Sequence, residues 1–394
     1  MVGAVAYLVA FPFMSIGAAE LVLVALTAAF IATQQFAPAA DDPGYGFLLP
    51  VLPFIAAYVL AVLRAPDQVV ASDIMSYELP GLVLFVIMLR HPRWPWWGWA
   101  LGFSLFSAGI SLAVLVGYVR FRMGAPVPPV TGPAEATVFL ANNELLIVPN
   151  DILVVAIVLV FALSAVAGPA PRAVRWTGMA TVALTFMALA VMRSRTGLVV
   201  ACVEMLIAGI AWRRLLPWLA GVLALMAAAD VVLGLGALQK LLLANSLDNH
   251  GVIGRFGLWA SAWGMFCTAP FFGHGAQSFG PMHGAFLPGW SPRFPERRVM
   301  WAHSLFLETL ADQGLFGAAA LVIMFLLPLW KLCKDVVNRS SSDHLRREQL
   351  FAAAGLVGFL GAAGLELSFI RRFVSVVMFG VLGFAFRVLR TPRS

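Results

Sequence analysis

The chain has 394 residues, of which 61% are apolar and 11% charged, whereas a soluble domain carries about 25% charged and 45–50% apolar residues. This balance excludes a water-soluble enzyme, a disordered chain and a nucleic-acid-binding module, and leaves a polytopic membrane protein. In such a protein a net charge of +7 reflects loop arginines facing lipid headgroups, not a nucleic-acid partner.

In chain order, the apolar run from Val2 to Gln34 is too long for one comfortable span, and Pro12 and Gly17 are candidate breaks into two helices. It lacks the basic flank and small-residue cleavage site of a signal peptide, so it reads as membrane helix from the start. Further spans are expected at 47–63, 70–89, 95–118, 151–168, 174–192, 197–212, 215–236, 314–332, 349–369 and 373–390. Clusters such as Arg90-His91-Pro92-Arg93 and Arg213-Arg214 punctuate them. The expected fold is all-α, with about 12 transmembrane helices in a single integral membrane domain over 1–394.

Lys331, Lys334, Arg339, Arg346 and Arg347 place their loop in the cytoplasm. Alternation then divides the 26 basic residues almost evenly between the two faces. Outer arginines oppose the insertion bias, which gives them a candidate task. Two outer segments are not spans. Residues 119–150 form a Pro-rich loop, and residues 237–313 a longer one that holds His250, His274, His283 and His303. Within the latter, 254–268 has helical periodicity, with Phe256, Trp259, Ala260, Trp263 and Phe266 on one side. It reads as an amphipathic helix on the membrane surface or on the bundle.

Four motifs stand out. Arg193 and Arg195 flank Ser194 where one span ends and the next begins. Guanidinium forks beside a helix N-terminus make an anion site, and the plainer reading is two arginines snorkelling at an interface. Arg255 opens the amphipathic stretch, and Gly273-His274-Gly275 follows as turn-making glycines without the Lys-Ser/Thr ending of a phosphate loop. His303, at the start of a helix running from Ser304, is a candidate base for a sugar hydroxyl, with Trp301 beside it as a sugar platform and Glu308 five residues on. The plainer reading is an interfacial histidine bonded to a carbonyl. Arg371 and Arg372 lie in the turn between the last two spans with Glu366 before them, either a site or an acid–arginine pair. Arg120 and Arg122 have the same standing on the first outer loop. No His/Cys/Asp/Glu spacing fits a metal, and the three cysteines (Cys202, Cys267, Cys333) imply no disulfide framework. No cofactor is expected.

The order of these pieces carries a resemblance: Ser194-Arg195-x-Gly197; Arg255 with Trp259; Pro270, Gly273 and Gly275; then His303-Ser304-x-x-Leu307-Glu308, Gly314 and Gly317. Over about residues 190–317 the chain resembles the O-antigen ligase and polymerase superfamily of bacterial envelope glycosyltransferases. The resemblance implies a C-type glycosyltransferase fold in the bacterial inner membrane, with a long periplasmic loop as catalytic sub-region. It implies a ligase that moves glycan from undecaprenyl diphosphate to a sugar hydroxyl of lipid A-core, without metal or nucleotide. Matched motif by motif, Arg195 and Arg193 bind the diphosphate, Arg255 is the loop arginine and His303 the base or orienting residue. Arg120, Arg122, Arg371, Arg372, Trp301 and Glu308 are further candidates for diphosphate or sugar. Ser304 stands where many members have Asn, which puts an amide role there in doubt. The implied partners are the lipid-linked donor, the glycan acceptor and membrane lipids. A polymerase of lipid-linked repeats is the close rival, since both need a diphosphate site and a hydroxyl acceptor. A transporter or lipid flippase is the rival of another class, although no repeated halves are evident.

Overall fold

The computed structural model describes residues 1–14, 16–35, 49–90, 95–123, 138–139, 146–147, 152–236, 250–291, 301–338, 342–368 and 372–391. Among the described residues the regular structure is helical apart from one two-residue antiparallel pairing of Val138–Phe139 with Leu146–Ile147. Helix α1 (Val2–Ala10) ends in a 3-10 turn at Phe11–Phe13, and α2 (Ile16–Gln35) follows. The first run is thus two helices, broken at Pro12 where the ring removes a backbone donor; Gly17 lies inside α2.

The next elements are α3 (Leu52–Leu63), α4 (Gln68–Ser76), α5 (Glu78–Arg90) and α6 (Trp96–Arg122). Then come α7 (Leu153–Ile157), α8 (Leu159–Ala167), α9 (Arg172–Val191), α10 (Arg195–Ala211) and α11 (Leu216–Val232). The later part holds α12 (His250–Thr268), α13 (Phe279–Phe286), α14 (Leu305–Val337), α15 (Asp343–Leu365) and α16 (Arg372–Arg390). Among the described residues seven helices are long and apolar enough to cross a membrane, and Val2–Phe13, Leu52–Leu63 and Leu153–Ala167 are shorter apolar ones. The pass over α7 and α8 is irregular at Val158, yet every residue from Leu153 to Val166 is buried. Broken backbone is tolerated at membrane depth only when protein surrounds it.

Helix α16 sits in the middle, with 78% of its apolar window buried against 28% for the peripheral pass Arg213–Val232. It lies along α5, where Phe85 meets Phe379 at 5.7 Å and Phe386 at 5.9 Å. Small residues set that approach: Gly81 faces the Ser375 backbone, and Gly383 faces the Met88 and Phe85 side chains. Lipid tails are as apolar as leucine, so close backbone contact rather than hydrophobicity holds such helices together. Hydroxyl pairs add to it between α6 and α9, with Ser107 and Thr185 at 3.0 Å and Thr181 donating to the Ser104 carbonyl at 3.2 Å. Those pairs run in step, so the ends of α6 and α9 emerge on one side. That side also carries residues 250–291 and 301–304 and is called the loop end below.

Helix α12 corrects the expected stripe. Its packed face is Gly254, Gly257, Leu258, Ser261, Ala262 and Met265, with Leu258, Ala262 and Met265 in a small core with Phe279, Ala302 and Ala311. Phe256 and Trp263 point outward, 46% and 54% exposed. The helix therefore has two apolar faces. The smaller side chains meet the protein, and the large aromatics are left for the rim, a composition suited to a headgroup layer.

The glycines after α12 interlock with those of α14. Helix α14 is kinked at Gly314 (φ 65°, ψ −161°), just where the expected span begins. Gly273 and Gly275 also have positive φ. Across the junction, His274 N–H donates to Ala311 O (3.0 Å), Gly275 N–H to Asp312 O (2.9 Å), Leu315 N–H to Pro270 O (2.7 Å) and Phe316 N–H to Phe271 O (3.2 Å). A Cβ on Gly273 would fall on the Asp312 carbonyl group, and one on Gly275 on the Arg64 carbonyl at the end of α3. The Asp312 side chain then accepts from Gln277 N–H (2.8 Å), Ser278 Oγ (2.7 Å) and Phe279 N–H (3.0 Å), capping α13 from a distant helix. Gly273→Ala and Gly314→Ala combine a left-handed backbone with a backbone clash. Each is expected to cost more than ~1 kcal/mol and to lower the melting temperature of detergent-purified protein. Gly221→Ala, where nothing lies within 4 Å, is expected to leave it unchanged or raise it slightly.

Candidate active site

The site is assembled from helix ends. Helix α9 stops in a Schellman arrangement: Ser194 N–H bonds Leu189 O at 3.0 Å, and Arg193 N–H bonds Ala190 O at 2.9 Å. The left-handed position of this motif normally takes glycine, and here it holds Arg193 at φ 51°. A side chain there costs about 1–2 kcal/mol, which marks the position as one where the side chain matters more than the turn. Ser194 caps α10, its Oγ accepting from Gly197 N–H at 3.3 Å. Gly197 has no room for a Cβ because Leu189 packs there, so the turn folds tightly enough to present Arg195 in the first turn of α10. Arg193 is exposed and Arg195 half-buried. The Nε of Arg195 is buried with no hydrogen-bond partner among the described residues.

A second helix start carries the histidine. Ser304 is the N-cap of α14, with its Oγ 3.5 Å from Leu307 N. His303 before it has φ 54°, the same left-handed strain as Arg193. Trp301 Nε1–H donates to His303 Nδ1 at 3.3 Å, and the two ring centroids are 5.4 Å apart. Glu308 is buried below the turn. Its Oε2 accepts from Ala302 N–H (3.3 Å) and its Oε1 from Ser368 Oγ (2.6 Å). The acid thus ties the histidine turn to the end of α15, with its oxygens committed to protein donors.

The three candidate segments meet at Glu366, the residue that ends α15. Its Oε1 lies 2.5 Å from Arg255 Nη2 of α12 and accepts from Thr196 Oγ1 of α10 at 3.3 Å. Its Oε2 lies 3.7 Å from His303 Nδ1. The carboxylate side chain is 5% exposed, Arg255 36% and His303 23%, so the acid lies beneath and the arginine faces out. Trp259, one turn after Arg255, has its buried Nε1 without a hydrogen-bond partner among the described residues. The result is a polar floor of one acid under one cation and one imidazole, with Arg195 on the neighbouring residue to Thr196. Such a floor can hold an anionic group on the arginines and pass a proton through the imidazole.

Among the described residues, Arg120 and Arg122 are not brought into this cluster. Arg120 and Arg122 are exposed at the loop end of α6, with Arg122 over the Tyr118 ring at 5.9 Å. Arg371 and the side chain of Arg372 lie outside the described residues, as do Lys240, Arg293, Arg297 and Arg298 and the side chain of His250. The remaining loop histidines are not loosely held among glycines. His274 Nε2 lies 2.9 Å from Thr268 Oγ1 and 3.0 Å from Met265 O, and His283 Nδ1 lies 2.8 Å from Gly280 O, its ring stacked on Phe279. Both rings serve local structure. Among the described residues no group of three His, Cys, Asp or Glu side chains is placed to hold a metal ion, and the three cysteines are free.

Sequence reasoning missed the convergence on Glu366. It noted the acid as intramembrane and set it beside Arg371 and Arg372, a pairing that falls outside the described residues; the partner seen among the described residues comes from α12. It also missed Thr196 and Asp312, whose signal was no more than a polar residue beside a motif. Glu204, fully buried in the middle of α10, went unremarked as well; Gly358 of α15 leaves the space its carboxylate occupies.

Residues 180–322 match the family model described as O-antigen ligase, a range that takes in Arg193, Arg195, Arg255, Trp301, His303 and Glu308. No curated protein matches the chain. The match carries glycosyl transfer of the O-antigen ligase and polymerase kind, which acts on lipid-linked glycan and an acceptor. With its helical passes, the chain is a multi-pass membrane protein whose residues 180–322 belong to the O-antigen ligase superfamily.

Proposed function

We propose that the chain is a ligase-type glycosyltransferase of the bacterial inner membrane. It would transfer glycan from undecaprenyl diphosphate to a sugar hydroxyl of lipid A-core, with the loop end facing the periplasm. The observation that carries this reading is the convergence of Arg255, His303 and the start of α10 on one polar floor at the end of an apolar bundle. A lipid diphosphate donor brings its own leaving group, so the chemistry asks for cations where negative charge develops and a base for the acceptor. Arg195 and Arg255 supply the first, with exposed Arg193 at the approach. The acceptor oxygen attacks the anomeric carbon, the bond from that carbon to the phosphate oxygen breaks, and its electron pair leaves with the diphosphate. His303 takes the hydroxyl proton, and Trp301 offers a ring face to the acceptor sugar. Residues 237–313 act as the catalytic sub-region of one integral membrane domain. A polymerase would use the same floor with a lipid-linked repeat as acceptor, and purified lipid A-core as acceptor distinguishes the two.

Arg195→Ala and Arg255→Ala are each expected to lower the transfer rate at least about a hundredfold, roughly 3 kcal/mol for one lost charge-assisted clamp. Lysine at either position is expected to restore little, because it is a point charge and not a fork. Transfer of lipid-linked glycan by reconstituted variants measures this, and near-normal turnover of both alanine variants would sink the diphosphate assignment.

His303→Ala is expected to lose most transfer while retaining donor, whereas Arg195→Ala loses donor binding too. His274→Ala and His283→Ala are expected to lose thermal stability before they lose turnover, since their rings bond local groups. Donor co-purification and turnover in the four variants separate these outcomes. A dead His274→Ala beside a fully active His303→Ala would show that the wrong histidine had been chosen.

The absence of metal-ligand spacing in the sequence predicts that transfer continues in EDTA and needs no nucleotide. Loss of activity on chelation, with recovery on one particular divalent ion, would contradict this.

A further inference from the structure

The floor of the site contains its own anion. Glu366 Oε1 occupies Arg255 and Thr196, while its Oε2 is buried and has no hydrogen-bond partner among the described residues. An unpartnered buried carboxylate oxygen is costly, and this one faces His303 Nδ1 at 3.7 Å, just beyond hydrogen-bond reach. In the same structure Trp301 Nε1–H points at that nitrogen from 3.3 Å. An indole N–H can only donate, so this contact places a lone pair on Nδ1 and the proton on Nε2. An imidazole in that tautomer cannot accept a proton at Nε2.

We propose that Glu366 is a positioning residue that couples arrival of the donor to activation of the base. This rests on the transferase reading given above. Without donor, the carboxylate holds Arg255. A diphosphate, with more charge and more acceptor oxygens, draws the outward-facing guanidinium to itself and leaves Glu366 with an uncompensated charge. His303 then changes tautomer through solvent, releasing the proton on Nε2 and taking one up on Nδ1, and the carboxylate accepts the new Nδ1–H bond in place of the contact from Trp301. Nε2 carries the lone pair, and the acceptor hydroxyl proton passes to it as the bond to the anomeric carbon forms. Among the described residues, the charged groups facing Glu366 are Arg255 from α12 and His303 from the turn before α14. Glu308 lies beyond Ser368 on its other side. The arrangement ties base strength to an occupied donor site and so discourages reaction with an empty one.

The experiment uses the full chain in lipid nanodiscs, with E366Q and E366D beside wild type. Binding of inorganic pyrophosphate is measured by calorimetry, and kcat and donor KM across pH with lipid-linked glycan and acceptor. Glutamine keeps the shape but loses the competing charge. E366Q is expected to bind pyrophosphate several-fold tighter, to keep or lower its donor KM, and to lose at least tenfold in kcat with a flattened acid limb of the pH profile. E366D is expected to recover part of kcat; it also serves as the test if E366Q does not fold, with kcat between wild type and R255A and the pH limb retained. If E366Q leaves kcat and pyrophosphate binding unchanged, or if kcat, KM and pyrophosphate binding all fail together, the carboxylate is a passive support and the inference is overturned. A folded wild type that transfers nothing from any lipid diphosphate sugar overturns the transferase reading, and this inference with it. An active wild type with an indifferent E366Q overturns the inference alone.

Discussion

A charge taken out of water needs a partner, and in this molecule the ion pair between Arg255 and Glu366 brings the candidate site together. One partner lies on α12, outside the bundle proper, and the other ends α15, two passes later. Because Glu366 is buried and Arg255 is partly open, the pair costs desolvation on one side and little on the other. Breaking it by removing the arginine leaves a buried acid without its cation. Thr196 and His303 then gather around the same carboxylate, so α10 and α14 are positioned by it as well. The rest of the loop end follows the same logic at lower charge. Glu308 and Asp312 are buried acids whose oxygens are satisfied by backbone N–H groups and serine hydroxyls, and each ties a turn to a remote helix.

Much of the fold was legible because a bilayer imposes one length and one composition on each pass. The runs at 95–118, 174–192 and 373–390 agree with helices α6, α9 and α16 within a few residues, since Arg90, Arg172 and Arg390 mark where apolar character stops. The start of α14 was legible as well, since the helix expected from Ser304 begins at Leu305. The faces of α12 were not. Counting aromatics found the side with the larger moment, but packing against a crowded helix start selected glycine, serine and alanine, and sent Phe256 and Trp263 outward.

The site was legible by residue type more than by geometry. Arginines beside a helix start and a histidine before one announce anion and proton chemistry at the level of the sequence. Their common neighbour did not, because a contact between residues 255 and 366 leaves no periodic trace in a single chain. The strain at Arg193 and His303 was equally invisible, since φ is a property of the turn and not of the residue. That two of the candidate residues occupy left-handed positions which glycine would fill more cheaply is an independent structural mark on the same segments.

The interlock of residues 270–275 with residues 311–316 has a consequence for how the protein is made. The loop leaves the ribosome before the helix that it grips, and Arg255 before the carboxylate that it faces by two further passes. At about 5–20 residues per second, α12 and α13 wait several seconds or longer without the caps and carbonyls that fix them. The carboxylate that Arg255 and Thr196 share arrives only with the end of α15, so the polar floor cannot be complete before that pass has been made.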